Sequence, residues 1–535
     1  MNTYRVPLTK WTSDVAQGTH ALEHGRWSRT RIPRRALVLL LVLAAIAIVG
    51  VYYAAVIGRA PASDATTTAQ VRPPAGGLTV LRGTQADLAA DMARVLFTTA
   101  PVVVVADPVR QATLATAAQD AQRRSAPLLL TSATRAAPGL LLTPAVETEI
   151  KSLHPGAVLA VGVSAPALAA LLPSIKVVST TTGLPPTGPP PPLRRTAVLE
   201  RKASGAGAMA AAVTARAAGA QVITMPGYDP RAYPEVITAL AAARPQHVLA
   251  LGAGFGAAAS LSAKVAVAET GVQLPGGGQV MFPYRRLVAM YGAPGTYGLG
   301  VLGHQDLSAS IVRVRAFAAS YRALSKVPVV PTFEIIATVA QGSAGANGLY
   351  SYETPVADLR PWVKRATKDG LYVVLDLQPG RANLLTQAKL YASLLKLPDV
   401  GLALDPEWKL QPGQVPLRQI GSVSITEINS VITWLAKLTA RYHLPQKLLV
   451  LHQFRLSMIQ DEYALDTHHS DLAIVIHMDG QGTPGEKVQT WNAVLAAAPH
   501  GVFFGWKNFL VKDHPMMDPQ ETMDRTPQPV MISYQ

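Results

Sequence analysis

Short apolar runs in the C-terminal half of the chain repeatedly end in an acid, a histidine, an amide or a tryptophan. Buried parallel strands read as continuous apolar runs, and in an (α/β) barrel the functional groups lie just past the C-terminal ends of those strands. The pattern therefore predicts a barrel whose mouth is lined with carboxylates, imidazoles and tryptophans. The residues concerned are Glu334, Asp376, Asp405, Glu407, Trp408, His452, Gln453, His477, Asp479, Trp506, Lys507 and Asn508.

Carboxylate pairs at a barrel mouth suit glycoside hydrolysis, in which one acid protonates the leaving oxygen while another attacks the sugar or activates water. The best local element runs from Asp405 to Trp408, because residues i and i+2 on a strand point the same way. Two carboxylates close together raise one of their two pKa values, which keeps a proton donor available near neutral pH. We therefore expect Glu407 to be the acid, with Asp405, Asp376 and Glu334 as candidates for nucleophile, base or orienting group.

The other polar residues at these strand ends suit the binding of a sugar. Trp408 offers a flat face for stacking on a sugar ring, and Asp479 follows His477 toward the same mouth. Two alternatives stay open, because an acid at a strand end also caps the following helix and a buried histidine also completes a polar layer. The residues expected to bind substrate are Trp408, His452, Gln453, His477, Asp479, Trp506, Lys507 and Asn508.

The elements that must position these residues fit a (β/α)8 TIM-like barrel over residues 279–535. This segment follows three glycines at 276–278 and is about 257 residues long, the usual size of the fold. Seven strands are identified from the apolar runs. The first is expected at 287–291 or 280–283, and the eighth near 300–303 or at the C-terminus. Helical patterns lie at about 308–324, 382–395, 425–442 and 487–498.

Residues 78–275 show strands alternating with helices, which predicts a parallel-sheet α/β domain with right-handed crossovers. The apolar run at 158–162 recurs at 248–252, and a proline-rich connector at 183–193 separates two degenerate units. Residues 59–77 are rich in Ala, Thr, Pro and Gly, without periodicity, and are predicted to be a flexible linker.

Both regions resemble surface-protein families. On the segments 127–131 and 158–162, the repeated unit resembles the cell wall binding repeat 2 family, an α/β module of Gram-positive surfaces. That resemblance implies non-catalytic attachment to anionic wall polymer. The barrel half resembles a family of uncharacterised actinobacterial surface proteins with a glycoside-hydrolase-like barrel, which implies an envelope setting and no established reaction. The segments that carry this second resemblance are 375–381, 403–408, 452–455, 477–482 and 505–509.

An uncharged apolar run at 36–58 is long enough to span a bilayer as one helix. Residues 1–35 carry seven Lys or Arg against two acids, and positive charge stays on the cytoplasmic side. We therefore expect a single-pass cell-membrane protein with a basic cytoplasmic tail and most of the chain extracellular. A cleaved signal peptide is the alternative, with a small-residue site at 60–62.

Several classes of function are excluded or disfavoured. The chain has no cysteine, which excludes a lipoprotein anchor, disulfides and a thiol nucleophile. The net charge of +15 comes without any nucleic-acid-binding module, so no nucleic-acid partner is expected. Residues 252–256 lack the glycine spacing of a dinucleotide site, and the polar loop at 466–471 lacks the helical spacing of a zinc hydrolase. No cofactor or metal is expected.

Two functions fit these features. The first is a membrane-anchored cell-envelope protein whose barrel hydrolyses a glycan with paired carboxylates. The alternative is a non-catalytic surface protein that binds cell wall polymer or another carbohydrate, since a fold does not fix a function.

Overall fold

The computed structural model describes residues 66–132 and 141–535. The predicted cytoplasmic tail, the predicted membrane helix at 36–58 and the first part of the predicted linker lie outside the described residues. Among the residues that are described, no helix is both long and apolar enough to cross a membrane.

The second part of the predicted linker takes part in short strand pairs. Strand β1 (Thr67–Thr68) pairs with β9 (Thr187–Gly188), and β2 (Gln70–Val71) pairs with β4 (Phe97–Thr99). Residues 66–71 are therefore tied to the α/β region by backbone hydrogen bonds, which composition alone does not predict.

The N-terminal α/β region contains two four-stranded parallel sheets. The first sheet has the order β6–β5–β7–β8, with strands β5 (Val102–Ala106), β6 (Leu128–Leu130), β7 (Ala157–Val161) and β8 (Val177–Val178). The second has the order β11–β10–β12–β3, with strands β3 (Leu78–Leu81), β10 (Thr196–Arg201), β11 (Gln221–Met225) and β12 (His247–Leu251).

The two runs whose similarity predicted a repeat lie at equivalent places, in β7 and β12. Each is the neighbour of the first strand of its own unit, β5 or β10. The fourth strand of the second sheet is β3, which comes before the first unit in the chain. The helices of the region are α1 (Gln85–Leu96), α2 (Gln111–Arg123), α3 (Pro144–Ser152), α4 (Ala165–Leu171), α5 (Ala206–Ala217), α6 (Pro234–Ala243) and α7 (Ala258–Ala268).

Eight parallel strands close into a barrel in the C-terminal half, which confirms the predicted α/β class with a TIM-like barrel. Closure is seen at β13, which pairs with both the second and the last barrel strand. The first strand lies at 286–292, one of the two places expected, and the eighth is the last strand of the chain. The barrel strands are β13 (Arg286–Gly292), β14 (Val329–Ala340), β16 (Tyr372–Leu377), β17 (Val400–Leu404), β19 (Lys447–Gln453), β21 (Leu472–Met478), β22 (Phe503–Asn508) and β23 (Met531–Tyr534).

Helices and short strands connect the barrel strands, and the four predicted helical segments are helical close to their predicted positions. The helix expected from about 487 begins earlier, at Pro484, because Thr483 caps it and Glu486 completes a capping box. The short strands are β15 (Ser351–Glu353), β18 (Val423–Ser424) and β20 (Ile459–Gln460). The helices are α8 (Leu307–Ser320), α9 (Val356–Lys368), α10 (Leu384–Leu390), α11 (Ala392–Leu395), α12 (Ile425–Arg441), α13 (Pro484–Ala497) and α14 (Pro519–Met523).

The barrel interior changes character along the strands. Near the strand starts, inward side chains are apolar, as at Leu287, Val374 and Leu448, and Phe282 packs with them. Every second residue along a strand points inward again. Toward the C-terminal ends the inward positions become polar, as at His452, four residues beyond Leu448, so these ends of the strands carry the candidate site.

Candidate active site

Seven barrel strands contribute buried polar side chains to one layer near their C-terminal ends. Burial there is nearly complete, and Asp479, the most exposed member, is only 8% exposed. The layer brings together seven of the predicted site residues with one that was not predicted, Tyr291. Its members are Tyr291, Glu334, Asp376, Asp405, His452, His477, Asp479 and Lys507.

His452 lies between two carboxylates. Its Nε2 is 3.0 Å from Glu334 Oε1, and its Nδ1 is 3.2 Å from Asp479 Oδ2. Burial opposes a charge on the ring, but the Glu334 and Asp479 carboxylates outweigh it and raise the pKa of His452 well above its usual value. The ring therefore favours the protonated form, in which Nε2 donates a hydrogen bond to Glu334 and Nδ1 faces the Asp479 carboxylate.

Lys507 supplies the second buried cation. Its Nζ lies 3.0 Å from Asp479 Oδ1 and 3.7 Å from the ring centre of Tyr291. Burial alone would raise the pKa of Asp479, but Lys507 and His452 hold that pKa well below its usual range. The pKa of Glu334 is lowered in the same way, since His452 outweighs burial. Both carboxylates are therefore ionised, and two cations balance them.

Two further carboxyl groups have the opposite tendency. Burial, reinforced by the charge of Glu334, raises the pKa of Asp376 to about 6. Burial and the neighbouring Asp376 raise the pKa of Asp405 well above its usual value. Tyr291 donates a hydrogen bond of 2.9 Å to Asp376 Oδ2, whereas Asp405 Oδ1 has no partner among the described residues. Asp405 therefore favours its protonated, neutral form.

His477 is the uncharged histidine of the layer. Burial lowers its pKa to about 3, and its Nε2 lies 3.2 Å from the hydroxyl of Ser533. Its ring centre is 5.2 Å from that of His452. His477 therefore fills the layer beneath the mouth, in keeping with the alternative interpretation of a buried polar layer.

Above the layer is an open cavity of about 480 Å³. Three carboxyl groups line it, those of Asp405, Glu407 and Asp479, and Trp408 lies on the same wall. Glu407 is only half-buried, and burial followed by the charge of Asp479 raises its pKa. One cavity therefore contains an ionised carboxylate beside two carboxyl groups that favour the protonated form.

The route by which Asp405 and Glu407 reach one cavity differs from the expectation. The strand ends at Leu404, and residues Pro406–Trp408 form a 3-10 turn. The alternation of a strand therefore does not apply beyond Leu404. A tight turn after the strand, started by the proline, brings both acids and Trp408 to the mouth.

Three predicted substrate-binding residues point away from the barrel interior. Gln453 bonds outward to Glu462 at 2.7 Å, and Trp506 packs against Trp491 with ring centres 5.6 Å apart. Asn508 accepts a 2.8 Å hydrogen bond from the Trp506 indole and is fully buried. Alternation explains these positions, because the neighbours of inward-facing residues on a strand must point out toward the helices.

Other cavity residues were missed by the sequence analysis. Tyr291 could have been found, because it has the same parity on β13 as the inward-facing Leu287. Gln378, Phe454, Arg455 and Lys512 lie in loops beyond the strands. No apolar run or spacing marks those four positions.

The polar loop at 466–471 contacts the N-terminal region through an ion pair. His469 Nε2 lies 3.0 Å from Asp466 Oδ2, and Asp471 lies 4.0 Å from Arg231 of the N-terminal region. Across residues 66–132 and 141–535, no group of three or more histidines and acids is arranged to hold a metal ion.

The arrangement can carry out acid–base chemistry. A proton donor and an ionised carboxylate that face one cavity are the two groups that hydrolysis by general acid–base catalysis requires. Comparison of the chain with protein-family models, curated proteins and solved structures gives no match. The function is therefore argued from the geometry and charges of the site.

Proposed function

We propose that the barrel hydrolyses a glycan, with Glu407 as the proton donor. The observation that carries the proposal is the opposite pKa shifts of carboxyl groups in one open cavity: Glu407 and Asp405 shifted upward, Asp479 downward. Glycoside hydrolysis needs a carboxylic acid for the leaving oxygen and an ionised carboxylate to stabilise positive charge on the sugar or to activate water.

In this proposal each group at the mouth has one task. Glu407 protonates the leaving oxygen, and Asp479 supplies the negative charge. Asp405, as a neutral acid, donates a hydrogen bond to a sugar hydroxyl, and Trp408 stacks on the ring. His452, Lys507 and the deeper acids are positioning residues, because they orient and charge Asp479 from below.

Glu407→Gln tests the proposal, because the amide keeps the shape of the acid but cannot give up a proton. We expect a loss of about 10²–10⁴-fold in product release from peptidoglycan or isolated wall polysaccharides. The matched control is Glu235→Gln, the same change at an exposed position on α6, outside the barrel. Equal product release by the wild type, Glu407→Gln and Glu235→Gln would show that Glu407 is not the acid.

Carbohydrate binding without cleavage is the second candidate function. It is favoured by the ion pairs of Asp479, whose two oxygens both face cations. In that case the wild type releases no product from any wall polymer, and Glu407→Gln binds the polymer as tightly as the wild type does.

We further propose that the protein acts in the cell envelope. In this arrangement residues 36–58 span the membrane, residues 1–35 stay in the cytoplasm, and the rest lies outside, with the N-terminal sheets binding wall polymer. The apolar run and the cell wall binding repeat 2 resemblance support this. Protease added to intact cells should digest the barrel and spare a tag at the N-terminus. Protection of the barrel in intact cells would overturn this topology.

A further inference from the structure

A second cavity adjoins the first at the barrel mouth. Its volume is about 380 Å³, and it shares Glu407, Trp408, Leu417 and Arg455 with the larger cavity. Glu407 and Trp408 therefore stand between two connected spaces. A single sugar would occupy only one of these spaces, whereas a polysaccharide that passes Glu407 would occupy both.

Free cations surround both spaces. Arg418 and Arg455 line the smaller cavity, and Arg455 and Lys512 line the larger one. All three side chains are exposed, and none has an ion-pair partner among the residues that the structure describes. Arginine and lysine heads of this kind are suited to carboxylate or phosphate groups of a ligand.

The positive charge at the rim is only partly cancelled from below, by Asp376, whose pKa of about 6 leaves it largely ionised at neutral pH. In the buried layer, the carboxylates of Glu334 and Asp479 are already balanced by His452 and Lys507. A cleft with an excess of one sign of charge concentrates ligands of the opposite sign. The unbalanced rim cations therefore favour an anionic ligand.

This charge is local and does not simply reflect the basic composition of the chain. A third cavity, of about 670 Å³, lies beside the ends of β13 and β14. Its lining includes Asp306 and Asp358 and contains no lysine or arginine. Two cavities of one barrel thus differ in charge, and the cationic one contains Glu407.

We propose that this double cleft binds an acidic polysaccharide, with charged sugar units on both sides of Glu407, and cuts it within the chain. The cutting step rests on the proposed function, whereas the binding step does not. In the reaction the glycosidic C–O bond breaks and the leaving oxygen takes the proton of Glu407. Water forms the new C–O bond, and its proton restores the carboxyl group.

Binding is tested on the full-length Glu407→Gln protein, so that cleavage does not interfere. The probes are polygalacturonate, poly(glycerol phosphate) and neutral dextran, measured by calorimetry. We expect at least one polyanion to bind ten or more times as tightly as dextran, with an affinity that falls as salt is added. Tighter binding of polygalacturonate would identify carboxylates as the groups that the cleft recognises. Tighter binding of poly(glycerol phosphate) would identify phosphodiesters.

Arg455→Gln should weaken the binding of that polyanion about tenfold and leave dextran unchanged. The matched control is Arg322→Gln, which removes one exposed positive charge from the barrel just before β14 begins, at the end opposite the mouth. Equal binding of all three probes, or equal effects of the two substitutions, would overturn the inference about charge.

Product size tests the internal cut in the wild type. Cutting within the chain lowers the viscosity of the polyanion before many reducing ends appear. Release of single sugars from an end would overturn internal cutting. If polyanion binds and no product forms, the proposed hydrolysis fails while the anionic ligand stands.

Discussion

The N-terminal sheets and the barrel are both built from parallel strands joined by helices, but they differ in what the strands bury. Strand β5 consists of valines and an alanine, all fully buried. The barrel strands bury Glu334, Asp376, His452 and Lys507 at or near their C-terminal ends. Apolar residues alone are therefore sufficient for the packing of parallel strands.

The buried charges of the barrel therefore need an explanation beyond folding. Taking paired charges out of water is costly, and apolar replacements of similar volume are often equally stable or more so. The first N-terminal sheet follows the apolar solution throughout its strands. The paired buried charges of the barrel strands lie in one layer, directly below the open cavity that contains Glu407.

The largest expected effect on stability is that of Asp479→Asn. The substitution removes the negative charge that faces both His452 and Lys507 and leaves a buried excess of positive charge. Breaking a buried ion pair in this way costs about 3–5 kcal/mol. Urea unfolding followed by tryptophan fluorescence measures it, because every tryptophan in the described residues lies in the barrel. These are Trp362, Trp408, Trp434, Trp491 and Trp506.

Asp405→Asn is the matched control for that prediction. The pKa of Asp405 is raised far above the value of about 3.9 in an unfolded chain. As pH rises between the two values, the folded state keeps a proton that the unfolded state has lost, so wild-type stability falls. The asparagine amide does not titrate in this range. The free energy of unfolding of the variant should therefore rise relative to that of the wild type as pH rises. Equal destabilisation by Asp405→Asn and Asp479→Asn at pH 7 would refute the assigned charge states.

A cavity made in the first N-terminal sheet should have a somewhat smaller effect. Leu129, in β6, is fully buried, and Leu129→Ala should cost about 2–5 kcal/mol. No charge is removed, so the cost should be the same at pH 5 and pH 8. Hydrogen exchange by mass spectrometry should show faster exchange in β5, β6 and β7. Equal loss of protection in β19 and β21 would mean that the two regions open together.

Local sequence patterns were sufficient to predict the architecture of the barrel. Each strand contains an apolar run, and the runs predict seven of the eight strands, the first of them with two possible positions. The last strand, Met531–Tyr534, contains only four residues and a serine, so its apolar character is weaker. Alternation would also have separated the inward His452 and Lys507 from the outward Gln453 and Trp506.

The charges of the site could not be predicted in this way. His452 meets Glu334 across 118 positions in sequence, and Tyr291 meets Asp376 across 85. Whether an acid is ionised depends on such distant partners and on burial. That is why Asp405 and Asp479 have opposite protonation states, although both follow apolar runs.

The smallest expected effect belongs to the ion pair that links the two regions. Asp471 Oδ1 lies 4.0 Å from Arg231 Nη1, but Arg231 also holds Asp229 at 2.9 Å and donates to the carbonyl of Ser470 at 3.2 Å. The carboxylate of Asp471 is 27% exposed. Asp471→Asn therefore leaves Arg231 with partners and should cost less than about 1 kcal/mol. The urea midpoint should approach that of the wild type in high salt. A larger loss that persists in salt would place a functional ion pair outside the barrel mouth and weaken the contrast between the regions.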